Sequence, residues 1–337
     1  MNKFFVIAGL IFASCASTSS AGKSARPAWV DKPESVFEHS RYLAAVGEAF
    51  SRSQAEANAF SNLISIFGQR VESKINAVET LRHEMRENVQ DFAVSKELSQ
   101  AVEISANMNN LIGAEIKDRW EDHISKNFYA VAVMEKSQGI RIYNELIDAN
   151  KKVIEKNLAI AASDKASFEG VIKYRASAKI AESNELFVTV LTILGGPNRA
   201  AEMGTAASYR NEASRLAKQI PVRIIVKDDF QGRVAAAFAE VFSKDGFSSG
   251  SKEARYELNA VLELAPTTHN NKDLVFTRYA LNAKLVDTKN NVVILPFSAN
   301  GREGHLSQTE ADQRAVRGVQ RAINEEFAAK FSEYCGF

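Results

Sequence analysis

The chain has 337 residues, 42 Lys+Arg against 41 Asp+Glu, and two cysteines. With 45% hydrophobic and 25% charged residues it has enough apolar material for a sizeable core and is not globally disordered. Near-neutral charge argues against general nucleic-acid binding, and two cysteines make neither a disulfide scaffold nor a four-cysteine zinc site.

Met1-Asn2-Lys3 is a short basic start, and Phe4–Ala13 is an apolar run too short to span a bilayer as a helix. Ala13 and Ser14 precede Cys15. This order resembles a bacterial lipoprotein signal, with Phe12 standing three residues before the cysteine where Leu is usual. The resemblance implies cleavage before Cys15, acylation of Cys15 (diacylglycerol on sulfur, a palmitate-type chain) and attachment to a membrane that the chain does not cross. The alternative is an ordinary secretory peptide cleaved near Ala21. Residues 16–24, small and polar, suit a flexible tether. Ala16 rather than Asp after the cysteine resembles lipoproteins sorted to the outer membrane. Loss of residues 1–14 removes only Lys3 among charged side chains, leaving acidic and basic residues equal in number.

The ordered chain is expected from Pro27-Ala28-Trp29-Val30. Tyr42–Val46 reads as a short buried strand ended by Gly47. Ser53-Gln54-Ala55-Glu56 has the form of a capping box, and Phe60, Leu63, Ile64, Phe67, Val71 and Ile75 continue at helical period. Asn58 and Asn62 fall between them. A charged, weakly periodic stretch runs to about Gln100. Period-2 alternation from Asn110 to Trp120 predicts a half-buried strand. Glu121–Lys126 reads as a turn and Asn127–Glu135 as a second, more apolar strand.

Long helices are predicted from Ile140 to Ala161 and from about Lys165 to Leu194, the second stopped by Gly195-Gly196-Pro197. A third helical segment covers Ala206–Gln219. The last part reads β-α-β-β-β-α: strands at Val222–Val226, Tyr256–Leu264, Val275–Leu285 and Val292–Phe297, a helix through Val234–Phe242, and a final helix behind the capping box Ser307-Gln308-Thr309-Glu310. The expected fold is α+β: two small antiparallel-sheet and helix domains joined by long helices. The expected segments are a signal (1–14), a tether (15–26), a first domain (27–136), a helical connector (137–220) and a C-terminal domain (221–337).

The order of residues 42–63, YLAAVGEAFSRSQAEANAFSNL, resembles the signature of the LPP-type bacterial outer-membrane lipoprotein family. That domain also resembles the N-terminal domain of a flagellar H-ring assembly protein. Trp29 and the strand Phe128–Met134 share in the resemblance, which spans residues 27–136. It implies no catalytic residues, cofactor or metal. The small Ala55 and Ala59 suit close packing of a helix on a sheet.

Little else points to chemistry. The histidines at 39, 83, 123, 269 and 305 share no ligand spacing. Glu121-Asp122-His123 reads as a solvated turn, and Asp228-Asp229 as a helix start. Asn300-Gly301-Arg302-Glu303-Gly304-His305 reads as a loop whose glycines serve turn geometry, or as a candidate partner-binding loop presenting Arg302 and His305. Cys335 is expected to be an unpaired, buried thiol. The expectation is a non-enzymatic envelope lipoprotein of the outer membrane. It would act as a scaffold or assembly factor on flagellar, secretion or cell-wall machinery, at the periplasm or at the cell surface, with self-association a further option. The rivals are a small-ligand or glycan-binding lipoprotein and an envelope hydrolase.

Overall fold

A computed structural model describes residues 25–68, 112–250, 253–267 and 274–336. The signal, Cys15, most of the tether, the stretch from 69 to 111, His83 and His269 lie outside the described residues. The chain divides into two compact units: residues 1–63 with 115–133, and residues 64–114 with 134–337.

The first unit opens with a single helical turn, α1 (Ala28–Asp31), which buries Trp29 and Val30. Strand β1 (Tyr42–Ala49) follows, then helix α2 (Arg52–Ile66). Strands β2 (Ala114–Glu121) and β3 (Phe128–Glu135) complete a three-stranded sheet in the order β1-β3-β2. β3 is central, so every residue from Tyr129 to Met134 is buried, whereas β2 at an edge is half-exposed. This matches the two hydrophobic patterns in the sequence. The turn between them is closed by the Asp122 N–H on the Asn127 carbonyl at 2.8 Å. Asp122 accepts from the Ile124 N–H, which holds its carboxyl below the usual range.

Helix α2 begins at Arg52, and its cap is Ser51 rather than Ser53: the Ser51 hydroxyl accepts from the Gln54 N–H at 3.4 Å. Ser51-Arg-Ser-Gln54 has the same capping form as the box two residues later. The earlier serine wins because the strand ends at Ala49, leaving no room for two further extended residues.

In the second unit, α3 (Lys136–Leu158) and α4 (Phe168–Ile193) pair as an antiparallel hairpin. The sense follows from the partners: Tyr143 against Phe187, Asn150 bonded to Asn184, and Asn157 to Ser177. The Asn150–Asn184 bond, 2.8 Å long and buried, helps fix the register of a largely apolar seam. Among the described residues no helix is long and apolar enough to cross a membrane. The run Leu186–Leu194 is instead the largely buried end of α4 and its cap, with Thr192 and Ile193 exposed.

After α5 (Ala206–Ala217) come β4 (Pro221–Lys227), α6 (Arg233–Lys244), a two-residue β5 (Ser248–Ser249), β6 (Tyr256–Thr267), β7 (Val275–Asp287) and β8 (Val292–His305). The sheet order is β5-β4-β6-β7-β8. β4 runs parallel to β5 and β6, and β6, β7 and β8 are antiparallel. Helix α7 (Gln308–Ala322) continues through a π turn (Ile323–Phe327) into α8 (Ala328–Tyr334). Ser307 caps α7 as its sequence predicts, accepting from the Glu310 N–H. Asp229 performs the same task for α6 through the Val234 and Ala235 N–H groups.

The start of α4 and the end of α5 share a core with the C-terminal sheet through Phe168, Val171, Ala213, Leu216 and Ala217. Phe168, the first residue of α4, stacks on Tyr256 at 3.9 Å and meets Phe247 and Phe331 edge-on. Its N–H donates to the Tyr256 hydroxyl. Phe238, Phe242, Phe327 and Phe331 extend the cluster beneath the sheet. Cys335 is fully buried and unpaired, and burial raises its thiol pKa, so it stays a neutral core group.

Arg255 ties the two ends of this unit together. It pairs with Asp287 at 2.7 Å and with Asp164 at 3.1 Å, and Lys289 also reaches Asp164. Burial pushes the Asp287 carboxyl up, but the hydrogen bonds and charge of Arg255 together with the Asn290 and Lys289 N–H groups outweigh it, and the net shift is downward. Lys289, then Arg255, hold Asp164 down as well. An unfolded Asp titrates near about 3.9, so the stabilisation is complete above that pH and is lost as pH falls through the lower folded values. Arg255→Met is expected to cost about 2 kcal/mol at neutral pH and to flatten the fall of Tm below about pH 4. Thermal melts from pH 7 to pH 2 check this; an unchanged acid slope would exclude the network.

Candidate functional site

Gly47 lies inside β1, directly beneath α2. A Cβ there would collide with the backbone of Ala55 and Ala59 and come within 2.7 Å of the Asn58 carbonyl carbon. Ala55 and Ala59 are buried against the strand. Bare backbone therefore packs on bare backbone, the use to which glycine and alanine are suited.

This close approach places a row of amides along β1, an edge strand of its sheet. Asn58 Nδ2 donates to the Glu48 carbonyl at 2.9 Å, and Asn62 Nδ2 donates to the Val46 carbonyl at 2.8 Å. Gln54 donates in turn to Asn58 Oδ1. Gln54, Asn58 and Asn62 recur at four-residue spacing, one position before Ala55, Ala59 and Leu63. The helix thus packs with one row and covers the strand edge with the next.

Beside this edge is an open, polar cleft of about 610 Å³ lined by Arg26, Asp31, Glu48, Ser61, Asn62 and Tyr129, among others. Arg26 pairs with Asp31 through two hydrogen bonds of 3.0 and 2.8 Å. Its guanidinium also lies over the rings of Trp120 and Tyr129, at 5.5 and 5.1 Å. Glu48 Oε1 accepts from the Tyr129 hydroxyl at 2.8 Å and from the Asn127 side chain. Trp29 Nε1 donates to Asp118 at 2.8 Å. The charged side chains of the cleft are thus engaged with neighbours in the fold. Among the described residues no group of His, Cys, Asp and Glu is placed to hold a metal ion.

The candidate loop at 300–305 is strand. β8 continues to His305, with Tyr279 opposite Gly301 and Phe276 opposite Gly304. Neither glycine has positive φ. Each lacks a side chain because an aromatic ring from β7 crosses the space: Tyr279 over Gly301 on the face packed against α7, where it also meets Gly318, and Phe276 over Gly304 on the other face. Arg302 stacks on Phe276 at 5.2 Å. Arg302 and His305 are three residues apart on one strand and so project to opposite faces. The fold does not gather them into one site. Glu121-Asp122-His123 is the β2–β3 turn, and His123 faces Glu121 at 3.5 Å in solvent.

The cleft itself was not foreseen from the sequence. The available signal was the amide row, since three amides at helical spacing beside a small-residue row indicate an edge being covered.

The family comparison gives this unit its relatives. Residues 27–135 match the LPP20 lipoprotein family. The match coincides with the segment whose signature suggested LPP-type lipoproteins and indicates a bacterial envelope lipoprotein. No curated protein matches the chain. Among solved structures, the secreted protein HP1454 of Helicobacter pylori aligns over 85% of this chain and 97% of its own, at 13% identity and TM-score 0.45. A minor lipoprotein of Acinetobacter baumannii aligns over 36% of this chain and 94% of its own, at 11% identity and TM-score 0.26. Lipoprotein GNA1162 of Neisseria meningitidis aligns over 32% of this chain and 99% of its own, at 14% identity and TM-score 0.23.

Two substitutions probe the LPP20 unit. Gly47→Ala is expected to force β1 and α2 apart, to cost about 2 kcal/mol, and to speed amide exchange in α2. Asn58→Ala with Asn62→Ala is expected to bare the β1 edge and promote self-association at concentrations where the parent is unchanged, as light scattering would report. Unaltered exchange or unaltered mass, respectively, would contradict these assignments.

Proposed function

We propose that this LPP20-type lipoprotein is anchored through acylated Cys15 and works without catalysis as a scaffold or assembly factor through protein contacts. The observation that carries this reading is the state of the cleft. Arg26, Asp31 and Glu48 are engaged with one another's neighbours in the fold, and Asn58 and Asn62 are bound to strand carbonyls. Side chains so committed serve rigidity better than proton transfer or nucleophilic attack. Equal acidic and basic content also favours protein or lipid partners over nucleic acid. The expected site of action is the outer membrane, in flagellar, secretion or cell-wall-associated machinery.

A second reading is favoured by the cleft's volume and polar lining: capture of a small polar ligand or glycan, with the Tyr129 ring as a platform. Retention on a glycan array that is lost in Tyr129→Ala would support it; no retention of the parent protein would remove it.

Affinity capture of the full-length protein from its native envelope after mild cross-linking tests the scaffold role. A reproducible protein partner, absent when the LPP20 unit carries Gly47→Ala, is the expected result. Recovery of the protein alone would overturn the reading. Metabolic labelling with a fatty-acid analogue tests the anchor, and label persisting in Cys15→Ala would place the lipid elsewhere.

A further inference from the structure

Two large apolar side chains of the first unit stand almost wholly in solvent. Phe50, just past the end of β1, is 87% exposed, and Ile124, in the β2–β3 turn, is 90% exposed. A single exposed apolar residue is ordinary on a soluble domain. These two share one end of the sheet. Asn127 and Tyr129, at the start of β3, both donate to Glu48 near the end of β1. Asp122 and Asn127 close the turn that carries Ile124.

The chain leading from Cys15 arrives at this same end. Arg26 lies over Trp120, near the end of β2, and Tyr129, the second residue of β3. Its charge contributes to holding the Asp122 carboxyl down, after the larger effects of the Ile124 N–H and Ser125. Residues 15–25 can extend about 40 Å at most, at roughly 3.3–3.6 Å per residue. A lipid on Cys15 would keep this end of the domain close to the bilayer, where even weak insertion is occupied because the tether raises its effective concentration. Arg52 and Lys126 flank the two tips and can meet lipid phosphates, while Glu121 and Asp122 offset them. The attraction is therefore chiefly apolar.

We propose that this end of the LPP20 unit faces the membrane, with Phe50 and Ile124 seated at the headgroup–acyl boundary of the bilayer that holds the Cys15 lipid. The proposal rests on the anchor reading above for its setting, and its test separates the two.

The mature chain from Cys15 is prepared without lipid. Its Cys15 thiol is coupled to a maleimide-headgroup lipid in phosphatidylcholine vesicles; Cys335, fully buried, does not compete. Benzoylphenylalanine then replaces Phe50, Ile124 or Val36. Val36 is 49% exposed at the opposite end of the domain, next to the Phe37–Tyr42 ring contact where β1 begins. On irradiation, lipid adducts at positions 50 and 124 are expected at least tenfold above those at position 36. Equal adducts at all three positions would overturn the proposal. So would cross-links from 50 or 124 to a second copy, or to another protein when the experiment is repeated in native envelope. The synthetic lipid makes these outcomes independent of acylation in the cell, which fatty-acid labelling of the parent and of Cys15→Ala decides separately.

Discussion

The LPP20 unit is organised by one contact, the seating of α2 on the bare backbone of Gly47. No other residue fits there, because the space for a Cβ is already filled by the helix main chain. Once β1 and α2 are that close, the amides of Asn58 and Asn62 reach the strand carbonyls without any lengthening of the side chain. The same approach sets one wall of the cleft. It also ends the strand at Ala49, so Phe50 and Ser51 must turn outward before the helix begins. Edge protection, cleft and exposed tip follow from a single missing side chain.

The second unit depends on a related device used differently. At Gly301, Gly304 and Gly318 the missing side chains are replaced by aromatic rings rather than by main chain. Tyr279 spans from β7 across Gly301 to Gly318 on α7, linking the sheet to the terminal helix. Phe168 does the equivalent work at the far side of the core, where α4 begins. It meets Tyr256, Phe247 and Phe331, which come from three different parts of the C-terminal segment. The start of α4 thereby shares the hydrophobic interior of the mixed sheet, while Ile154, Ile180 and Ala206 form a separate cluster within the helices.

These two devices explain what was legible in the sequence and what was not. Periodicity identified the strands and helices because their faces see either core or water. The Ser307 cap was legible because a single serine stood at the right distance from its glutamate. At α2 two serines offered equally good boxes, and the choice of Ser51 was made by where β1 stops. The segment 300–305 misled for a different reason. Glycine spacing there resembles turn chemistry, but its cause lies in Tyr279 and Phe276, more than twenty residues earlier in the chain. A local pattern carries no record of a cross-strand ring.

The cleft illustrates the same limit from the functional side. Its residues come from the start of the ordered chain, from β1, from α2 and from β3, and none forms a motif with its sequence neighbours. Each of these polar groups is held by neighbours in the fold. Glu48 is held by Tyr129 and Asn127, Arg26 by Asp31 and two rings, and the asparagines by strand carbonyls. These bonds maintain the strand edge and the entry of the chain, and the surface they hold lies at the end of the domain where Arg26 packs on Trp120 and Tyr129.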